Sequence, residues 1–318
     1  MARGQRERSL SQALPELSRD AAEDWIRSLV KPIAPLELAH ERPWSTVLRV
    51  PLRQGSAWFK ACSPVQAFEP ALTASLYARW PDRVAEVIGH DAERAWLLLA
   101  DAGAPLRETG NPPEAWLAAL PGYGELQHGE ALHAEEHLAV GVPDMRPTTL
   151  PARYRDLVAS DLPLDDDEIE RLQAFAPRFA DLCAELVVRG VPSSVQHDDL
   201  HSANLYIEGD RLRVLDWGDA SISHPFMSLV VTFRFLEETN GLPPTDPWIS
   251  RLRDAYLEPW GSGLAGTFEL AIRVGMVAHA IAWLRQRDFL PLRAIADFDR
   301  GFAVILRRAL RSTVEPGA

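Results

Sequence analysis

Residues 197–204 read HDDLHSAN, and residues 215–220 read LDWGDA. The connection between these two segments is typical of a β-hairpin. Residues 205–207 are apolar and β-prone, residues 212–215 alternate as a returning strand, and a Glu-Gly-Asp turn joins them. Such a hairpin would bring the end of the first segment and the start of the second to the same open end. The local sequence therefore predicts one shared site.

Three polar side chains would meet at that site. Asn204 and Asp216 offer an amide oxygen and a carboxylate, which are ligands that magnesium prefers. Asp199 lies shortly before Asn204 on the preceding loop, where it could accept a proton from an attacking hydroxyl. Metal ligands and a proton acceptor this close together predict a phosphoryl-transfer site.

The same residues resemble a known family of enzymes. His197, Asp199 and Asn204 match the H-x-D-x-x-x-x-N catalytic loop of protein kinases, and Asp216 stands at the place of the DFG aspartate. The resemblance is closer to the aminoglycoside phosphotransferase and choline kinase family, whose loop typically reads HGDLHPGN. This chain departs from that pattern at three spacer positions, Asp198, Ser202 and Ala203.

The resemblance implies a two-lobed, protein-kinase-like α+β fold, with a small β-rich N-lobe and a larger, mainly helical C-lobe. It also implies transfer of the γ-phosphoryl group of Mg²⁺-ATP or Mg²⁺-GTP to a hydroxyl of a small acceptor. In this reading Asp199 is the base, and Asn204 and Asp216 hold the metal. His201, at a place where protein kinases often carry a lysine, is predicted to contact the transferred phosphoryl group, and His197 is expected to support the loop.

An upstream lysine completes the pattern. Residues 57–62 alternate as a strand that carries Lys60 in an otherwise apolar setting. Lys60 resembles the phosphate-orienting lysine of the third kinase strand, which a carboxylate must hold in place. Glu69, near the start of a predicted helix, is the expected partner, and Glu86 and Glu93 are alternatives.

The remaining nucleotide contacts are predicted around this strand. Trp58 shares a face with Lys60 on a period of two, so it could stack on a base or serve as a core residue. No glycine-rich G-x-G-x-x-G loop precedes the strand. A turn at residues 41–45 takes its place, and Ser45, Thr46 and the local backbone amides are expected to cover the phosphates.

The sequence pattern divides the chain into four predicted segments. They are an N-terminal helical extension at 1–30, a nucleotide-binding N-lobe at 31–100, a hinge at 101–105 and a catalytic, substrate-binding C-lobe at 106–318. Strands are predicted at 46–52, 57–62, 84–90 and 94–99. Helices are predicted at 67–79, 114–120, 124–140, 169–188, 227–238, 248–257 and 266–285. Pro177 predicts a kink or a restart within one of these helices.

Composition narrows the function. A net charge of −12 over 318 residues argues against a nucleic-acid surface. Acidic residues at 161–170 and 237–238 could attract a cationic acceptor, which favours an amino-bearing alcohol. The longest uncharged stretch, residues 220–233, is shorter than the roughly 20 residues of a membrane helix, so no membrane association is expected. With only two cysteines the chain fits a reducing cytoplasm, and its oligomeric state stays open.

Three alternatives remain at this stage. Residues 133–137 read HAEEH, which formally matches the zinc pattern H-x-x-E-H but has no recognisable third ligand. A metabolic kinase of a neutral sugar or alcohol competes with a kinase of an amino-bearing acceptor. A nucleotide-binding module that has lost catalysis is the third alternative, and the intact Lys60, Asp199, Asn204 and Asp216 argue against it.

Overall fold

The structure is a computed structural model that describes residues 18–208, 211–287 and 289–313. Helix α1 (Arg19–Leu29) leads into a five-stranded antiparallel sheet with the strand order β1-β2-β3-β5-β4. Its strands are β1 (Glu37–Arg42), β2 (Ser45–Pro51), β3 (Ser56–Cys62), β4 (Val87–Asp91) and β5 (Trp96–Ala100), and helix α2 (Glu69–Arg79) follows β3. Residues 1–17 of the predicted helical extension lie outside the described part.

One face of this sheet is packed and the other is open to the active site. Phe59 packs edge-to-face on Trp25 of α1 at 5.9 Å and on Trp96 of β5 at 5.6 Å between ring centroids. Such aromatic pairs contribute about 0.5–1.5 kcal/mol each beyond the buried area. Because side chains alternate along a strand, Trp58 and Lys60 project from the opposite face. The predicted alternation of this strand is confirmed.

The C-terminal part consists mainly of helices and two short antiparallel strand pairs. The helices are α3 (Pro113–Glu130), α4 (Ala134–Ala139), α5 (Leu150–Val158), α6 (Asp166–Arg189), α7 (Leu229–Asn240), α8 (Pro247–Leu257), α9 (Ala265–Arg287) and α10 (Leu292–Arg311). Strand β6 (Ser194–Gln196) pairs with β9 (Ser221–Ser223), and β7 (Leu205–Glu208) pairs with β8 (Arg211–Val214). Both pairs are antiparallel, and the second is the predicted hairpin.

Helix α3 corrects the predicted break between residues 120 and 124. It runs through Pro121 as one helix, then tightens into a 3-10 segment (Ala131–His133) before α4. Tertiary packing outweighs the helix-breaking tendency of proline here. A Cβ at Gly124 would lie 2.7 Å from the carbonyl oxygen of Tyr256 in α8, so this glycine allows the two helices to approach closely. Helix α6 likewise continues through Pro177.

Two strands, β1 and β9, and two helices were not predicted. Strand β1 is exposed along its whole length, so it shows no apolar alternation. The turn before β2 is consequently shorter than predicted, because β1 ends at Arg42 and β2 begins at Ser45. The two helices are α5 and α10.

Among the described residues, one helix is long and apolar enough to cross a membrane by length and composition. This is α9, with 23 residues, and 56% of its most apolar window is buried inside the protein. Phe268, Val274 and Ala280 of this helix are at most 3% exposed, within the main hydrophobic cluster. Such burial is typical of a central core helix.

Candidate active site

His197 fixes the catalytic loop to the strand that leads to Asp216. Its Nε2 lies 2.8 Å from the carbonyl oxygen of Leu215, and its Nδ1 accepts a hydrogen bond from the backbone N–H of Asp199 at 3.3 Å. These partners require a proton on Nε2. Burial lowers the pKa of His197, which keeps the ring neutral. This supporting position agrees with the sequence prediction for His197.

The predicted base, metal ligand and phosphoryl contact lie together on this loop. The Asn204 amide nitrogen donates to the Asp199 carbonyl oxygen at 2.9 Å and lies 3.3 Å from the Asp199 Oδ2. His201 Nε2 lies 3.3 Å from the same carboxylate oxygen. The Asp199 side chain is 34% exposed, so an acceptor hydroxyl could reach it. Because Asn204 donates through its NH2 group, its Oδ1 is the atom available to a cation.

Lys60 joins the N-lobe to the catalytic hairpin. Its Nζ lies 2.6 Å from Glu69 Oε2 and 2.6 Å from Asp216 Oδ1. The predicted pairing with Glu69 is therefore confirmed, and the structure does not bring the alternatives Glu86 or Glu93 to this lysine in any described contact. Glu69 is nearly inaccessible, with 2% of its side chain exposed, whereas 51% of the Asp216 side chain is exposed.

The charges of these three residues do not balance. Burial alone lowers the pKa of Lys60, but the Asp216 and Glu69 carboxylates outweigh it and hold that pKa well above its usual value. The pKa of Asp216 is lowered, because the attraction of Lys60 exceeds the effect of burial. Burial raises the pKa of Glu69 despite the same lysine. One ammonium group thus faces two carboxylates, and the excess negative charge suits a bound cation at the exposed Asp216.

Asp216 has a left-handed backbone conformation, which is uncommon for residues other than glycine. Its φ of 63° lies in the left-handed region. The residue opens a 3-10 turn (Trp217–Asp219) whose Trp217 is fully buried and packs 4.9 Å from the His197 ring. A Cβ at Gly218 would come within 2.6 Å of the end of the Gln66 side chain, so a larger residue here would displace that side chain. These contacts aim the Asp216 carboxylate at Lys60.

The other residues predicted to bind nucleotide, Trp58, Ser45 and Thr46, lie on strands β2 and β3. Trp58 is partly buried, lies on the Lys60 face and stays outside the buried cluster beneath α1. Ser45 pairs with Cys62 and shares that face, but it is only 2% exposed. Thr46 pairs with Ala61, so its hydroxyl points to the opposite face, away from Lys60. Only its backbone can serve the predicted phosphate cover.

Sequence reasoning missed a histidine in this region. His40 pairs with Val47, which in turn pairs with Lys60, so the three side chains form a row on one face of the sheet. Burial and the charge of Arg42 lower the pKa of His40, while the charge of Asp216 opposes them. Strand β1 reads ELAHER and shows no apolar alternation, so the sequence gave no strand signal that would have placed His40 there.

Two further carboxylates lie close to Asp199 and Asp216: Asp198 directly precedes Asp199, and Asp219 belongs to the 3-10 turn after Asp216. Asp198 has a φ of 62°, which explains why the resembling family favours glycine at this position. Its carboxylate accepts hydrogen bonds from Ser221 and Gln196, and burial raises its pKa to about 6. Asp219 accepts from Gln66 at 3.3 Å, and burial together with neighbouring carboxylates raises its pKa to about 7.

The zinc pattern at residues 133–137 has a structural use. His137 Nε2 lies 2.6 Å from Glu130 Oε2, deep in the C-lobe, where Arg79 binds the same carboxylate. Within the described ranges, no group of three or more His, Cys, Asp or Glu side chains could hold a metal ion. The sequence pattern therefore reflects an internal ion-pair network.

Comparison with known proteins gives the family. The model of the phosphotransferase enzyme family matches residues 7–267. Among curated proteins, none matched the sequence.

Solved structures share the fold at low sequence identity. The GDP complex of aminoglycoside 2′-phosphotransferase-IIIa has a TM-score of 0.62 at 14% identity, covering 94% of this chain and 100% of that one. Macrolide 2′-phosphotransferase type I gives 0.61 at 15% identity, with coverages of 89% and 95%. A choline/ethanolamine kinase family protein from Mesorhizobium loti gives 0.57 at 15% identity, with coverages of 92% and 99%. With a kinase-like fold and a family match over most of its length, this chain belongs to the phosphotransferase enzyme family.

Proposed function

We propose that this phosphotransferase transfers the γ-phosphoryl group of ATP or GTP to a hydroxyl group of a small molecule. The observation that carries the proposal is the cleft in which Lys60 and its two carboxylates meet the loop of Asp199 and Asn204. In the reaction, a bond forms between the acceptor oxygen and the γ-phosphorus while the bond to the bridging oxygen breaks. Asp199 receives the hydroxyl proton, and the nucleoside diphosphate leaves.

Each residue of the cleft has a role in this proposal. Lys60, held by Glu69, orients the phosphate groups. Asn204 and Asp216 would hold a magnesium ion, which supplies positive charge to the phosphates when bound. Their oxygen donors and the excess negative charge of the cleft fit such an ion. His201 Nε2 lies beside Asp199, which supports its predicted contact with the transferred group.

The nucleotide is proposed to lie between the sheet and the catalytic hairpin. Trp58 and His40 project from the sheet face that carries Lys60, where a base and phosphates would pass. Among structures with this fold, one is a GDP complex and another, a spectinomycin phosphotransferase, is an ADP complex. We keep both nucleotides in the proposal, together with the predicted cytoplasmic location and a chain without nucleic-acid or membrane partners.

The acidity of the chain predicted an amino-bearing acceptor, and the ion pairs of the acidic residues remove part of the support for that prediction. Glu168 pairs with Arg307 at 2.7 Å, and Arg308 lies 3.5 Å from Glu237 and 2.8 Å from Glu238. These ion pairs neutralise acidic residues on which a cation-attracting cleft depended. Cationic, neutral and anionic acceptors all belong in the test.

The test has two stages. Thermal-shift measurements with ATP, GTP, magnesium and calcium first establish which nucleotide and metal stabilise the protein. Nucleotide-consumption assays then compare amino sugars, amino alcohols, neutral sugars and hydroxy acids. We expect stabilisation by nucleotide only with a divalent cation, and consumption above the acceptor-free rate with one acceptor class. Stabilisation without any acceptor-dependent consumption would favour the nucleotide-binding module that has lost catalysis.

A further inference from the structure

Four C-lobe helices enclose a cavity that the proposed roles leave unused. It has a volume of about 140 Å³ and is bordered by α7, α8, α9 and α10. Most of its wall is apolar, with Phe233, Ile272 and Ile305 among the lining residues. An apolar cavity of this size accommodates a ring of roughly six heavy atoms.

Three polar side chains in the wall, those of Arg234, His279 and Arg308, have buried nitrogen atoms without a hydrogen-bond partner among the described residues. These atoms are Nε of both arginines and both ring nitrogens of His279. Burial lowers the pKa of His279 to about 3, so the ring is neutral, with one nitrogen to donate and one to accept. Arg308, the other arginine of the wall, lies 3.5 Å from Glu237, the carboxylate of the wall, and 2.8 Å from Glu238. Arg234 therefore supplies the positive charge that the cavity leaves open.

The helix that carries Arg234 is attached to the catalytic loop. Thr232 Oγ1 donates to the carbonyl oxygen of Leu200 at 2.8 Å, one residue after Asp199. The ring of Phe235 stacks on His201 with 4.5 Å between centroids. The negative charge of Asp199 also acts on the pKa of both Arg234 and His279. A molecule in the cavity would thus lie next to the proposed base.

Arg234 is partly exposed and its guanidinium lies 4.9 Å from the centre of the Phe235 ring, but its buried Nε donor has no hydrogen-bond partner among the described residues. A buried donor without a partner is unfavourable, and more so when it belongs to a charged group. An oxyanion is the ligand that removes this cost, because a guanidinium binds carboxylate or phosphate through two parallel hydrogen bonds. An ammonium group in the same place would be repelled by Arg234. The cavity is therefore complementary to an anion with an apolar body.

We propose that this cavity is the acceptor subsite, and that it takes a small hydroxy compound whose apolar body carries an oxyanion, held by Arg234 with a hydrogen bond from His279. This inference rests on the proposed function and narrows its acceptor class. The oxyanion could be a carboxylate or a phosphate, since both share the chemistry that Arg234 recognises.

Binding is tested first, with compounds that cannot react. Calorimetry on the full chain compares cyclohexanecarboxylate, cyclohexyl phosphate and cyclohexylamine, which share one ring and differ in charge. We expect one or both anions to bind and the amine not to bind, and the stronger anion identifies the natural group. Equal or tighter binding of the amine, or no binding of either anion, overturns the inference.

Variants then locate the binding. Arg234→Met should weaken anion binding by about tenfold to a hundredfold, the range for a lost charge-assisted hydrogen bond. Arg234→Lys should retain part of the affinity. Arg171→Met, which removes an exposed arginine from α6 outside the cavity, is the matched control and should bind like the wild type. Magnesium-nucleotide binding verifies that each variant is folded.

A second variant covers the case in which Arg234→Met does not fold. His279→Phe keeps the charge of Arg234 and removes only the hydrogen bond, so we expect a loss of about fivefold. Wild-type anion affinity in whichever of these two cavity variants folds contradicts the inference.

Turnover separates the two proposals. The matched acceptors are 4-hydroxycyclohexanecarboxylate, cyclohexane-1,4-diol and 4-aminocyclohexanol, of which the hydroxy acid should give the highest kcat/KM. Anion binding without transfer to any acceptor would contradict the kinase proposal and leave the anion site standing. Transfer to the amino alcohol in preference to the hydroxy acid would contradict the anion site and leave the kinase proposal standing.

Discussion

Two ion-pair clusters of this protein both combine basic and acidic side chains but differ in their charge balance. The anchor cluster consists of Arg79, Glu130 and His137, and the cleft cluster consists of Lys60, Glu69 and Asp216. In the anchor cluster, Glu130 is fully buried and accepts hydrogen bonds from Arg79 at 2.6 Å and from Trp80 at 2.7 Å, with His137 2.6 Å away. In the cleft cluster, two carboxylates share one lysine.

The pKa values follow this difference. Burial raises the pKa of Glu130, but its hydrogen bonds outweigh burial and lower the pKa to about 2. For Glu69, burial outweighs Lys60, and the pKa is raised. A carboxylate surrounded by donors contributes to stability, whereas an incompletely compensated carboxylate marks a place where a ligand can complete the charge balance. We therefore expect the anchor cluster to stabilise the fold and the cleft cluster to bind a ligand that balances its charge.

Removing the base next to the cleft cluster should have the largest effect. We expect Asp199→Asn to lower kcat by about 100- to 10,000-fold, the usual range for loss of a general base. Nucleotide affinity should stay within a few fold and the melting temperature should hardly change, because Asp199 is not part of either cluster. Steady-state kinetics and calorimetry provide these values. Turnover close to that of the wild type would remove the proposed role of Asp199.

The anchor cluster should show the opposite behaviour. Glu130→Gln removes the buried carboxylate that Arg79 binds and leaves this arginine only the exposed Glu136, at 3.9 Å, among the described carboxylates. Breaking a buried pair in this way typically costs about 3–5 kcal/mol of folding free energy. Urea unfolding at pH 7 measures the change, with Glu185→Gln as the control because Glu185 pairs with Arg189 on an exposed helix surface. The folded fraction of the variant should keep its kcat. Equal stability of the Glu130 and Glu185 variants would show that the anchor cluster is not a structural support.

Acid should weaken the anchor cluster within a defined range of pH. The pKa of Glu130 is about 2 in the folded protein, below its usual value of 4.5, so the folded state favours the ionised form. This stabilisation, about 3 kcal/mol from the size of the shift, is complete above pH 4.5 and is lost as the pH falls toward 2. The difference in unfolding free energy between the wild type and Glu130→Gln isolates it. A difference that does not change across this range would contradict the lowered pKa.

The smallest expected effect concerns Trp58, on the sheet face that carries Lys60. If Trp58 stacks on the base of the nucleotide, Trp58→Leu should weaken nucleotide binding by about two- to tenfold, which corresponds to one aromatic contact. Trp248→Leu, in α8, is the control, since Trp248 packs under Arg251 at 4.1 Å in the other lobe. The same nucleotide affinity in both variants would identify Trp58 as a packing residue only.

The features predicted correctly were those that local sequence encodes. Strand β3 and the hairpin of β7 and β8 show alternation and turn residues within a few positions, so Lys60, Asn204 and Asp216 could be placed on their elements. The pairing of Lys60 with Glu69 followed from the resemblance to kinases, which supplied the long-range information that the sequence pattern lacks.

The features that were missed depend on tertiary contacts. Arg79 and Glu130 are 51 positions apart, and nothing in the local sequence links them. Two separate helices were predicted at 114–120 and 124–140, but α3 runs through Pro121 as one helix that packs against α8. The cavity around Arg234 depends on how four consecutive helices pack together, and one of them, α10, was not predicted. Thr46 was predicted to cover the phosphates, but its pairing with Ala61, a register that strand pairing sets, places its hydroxyl on the face away from Lys60.

The central claim is that the exposed carboxylate of the cleft cluster holds a metal ion that binds the nucleotide. Calorimetric titration of ATP and GTP, with and without magnesium, into the wild type and Asp216→Ala tests it most directly. For the wild type we predict nucleotide binding that strengthens with magnesium. In Asp216→Ala this dependence on magnesium should be lost, and Asn204→Ala should show a milder loss. Unchanged nucleotide affinity and unchanged magnesium dependence in Asp216→Ala would contradict the account.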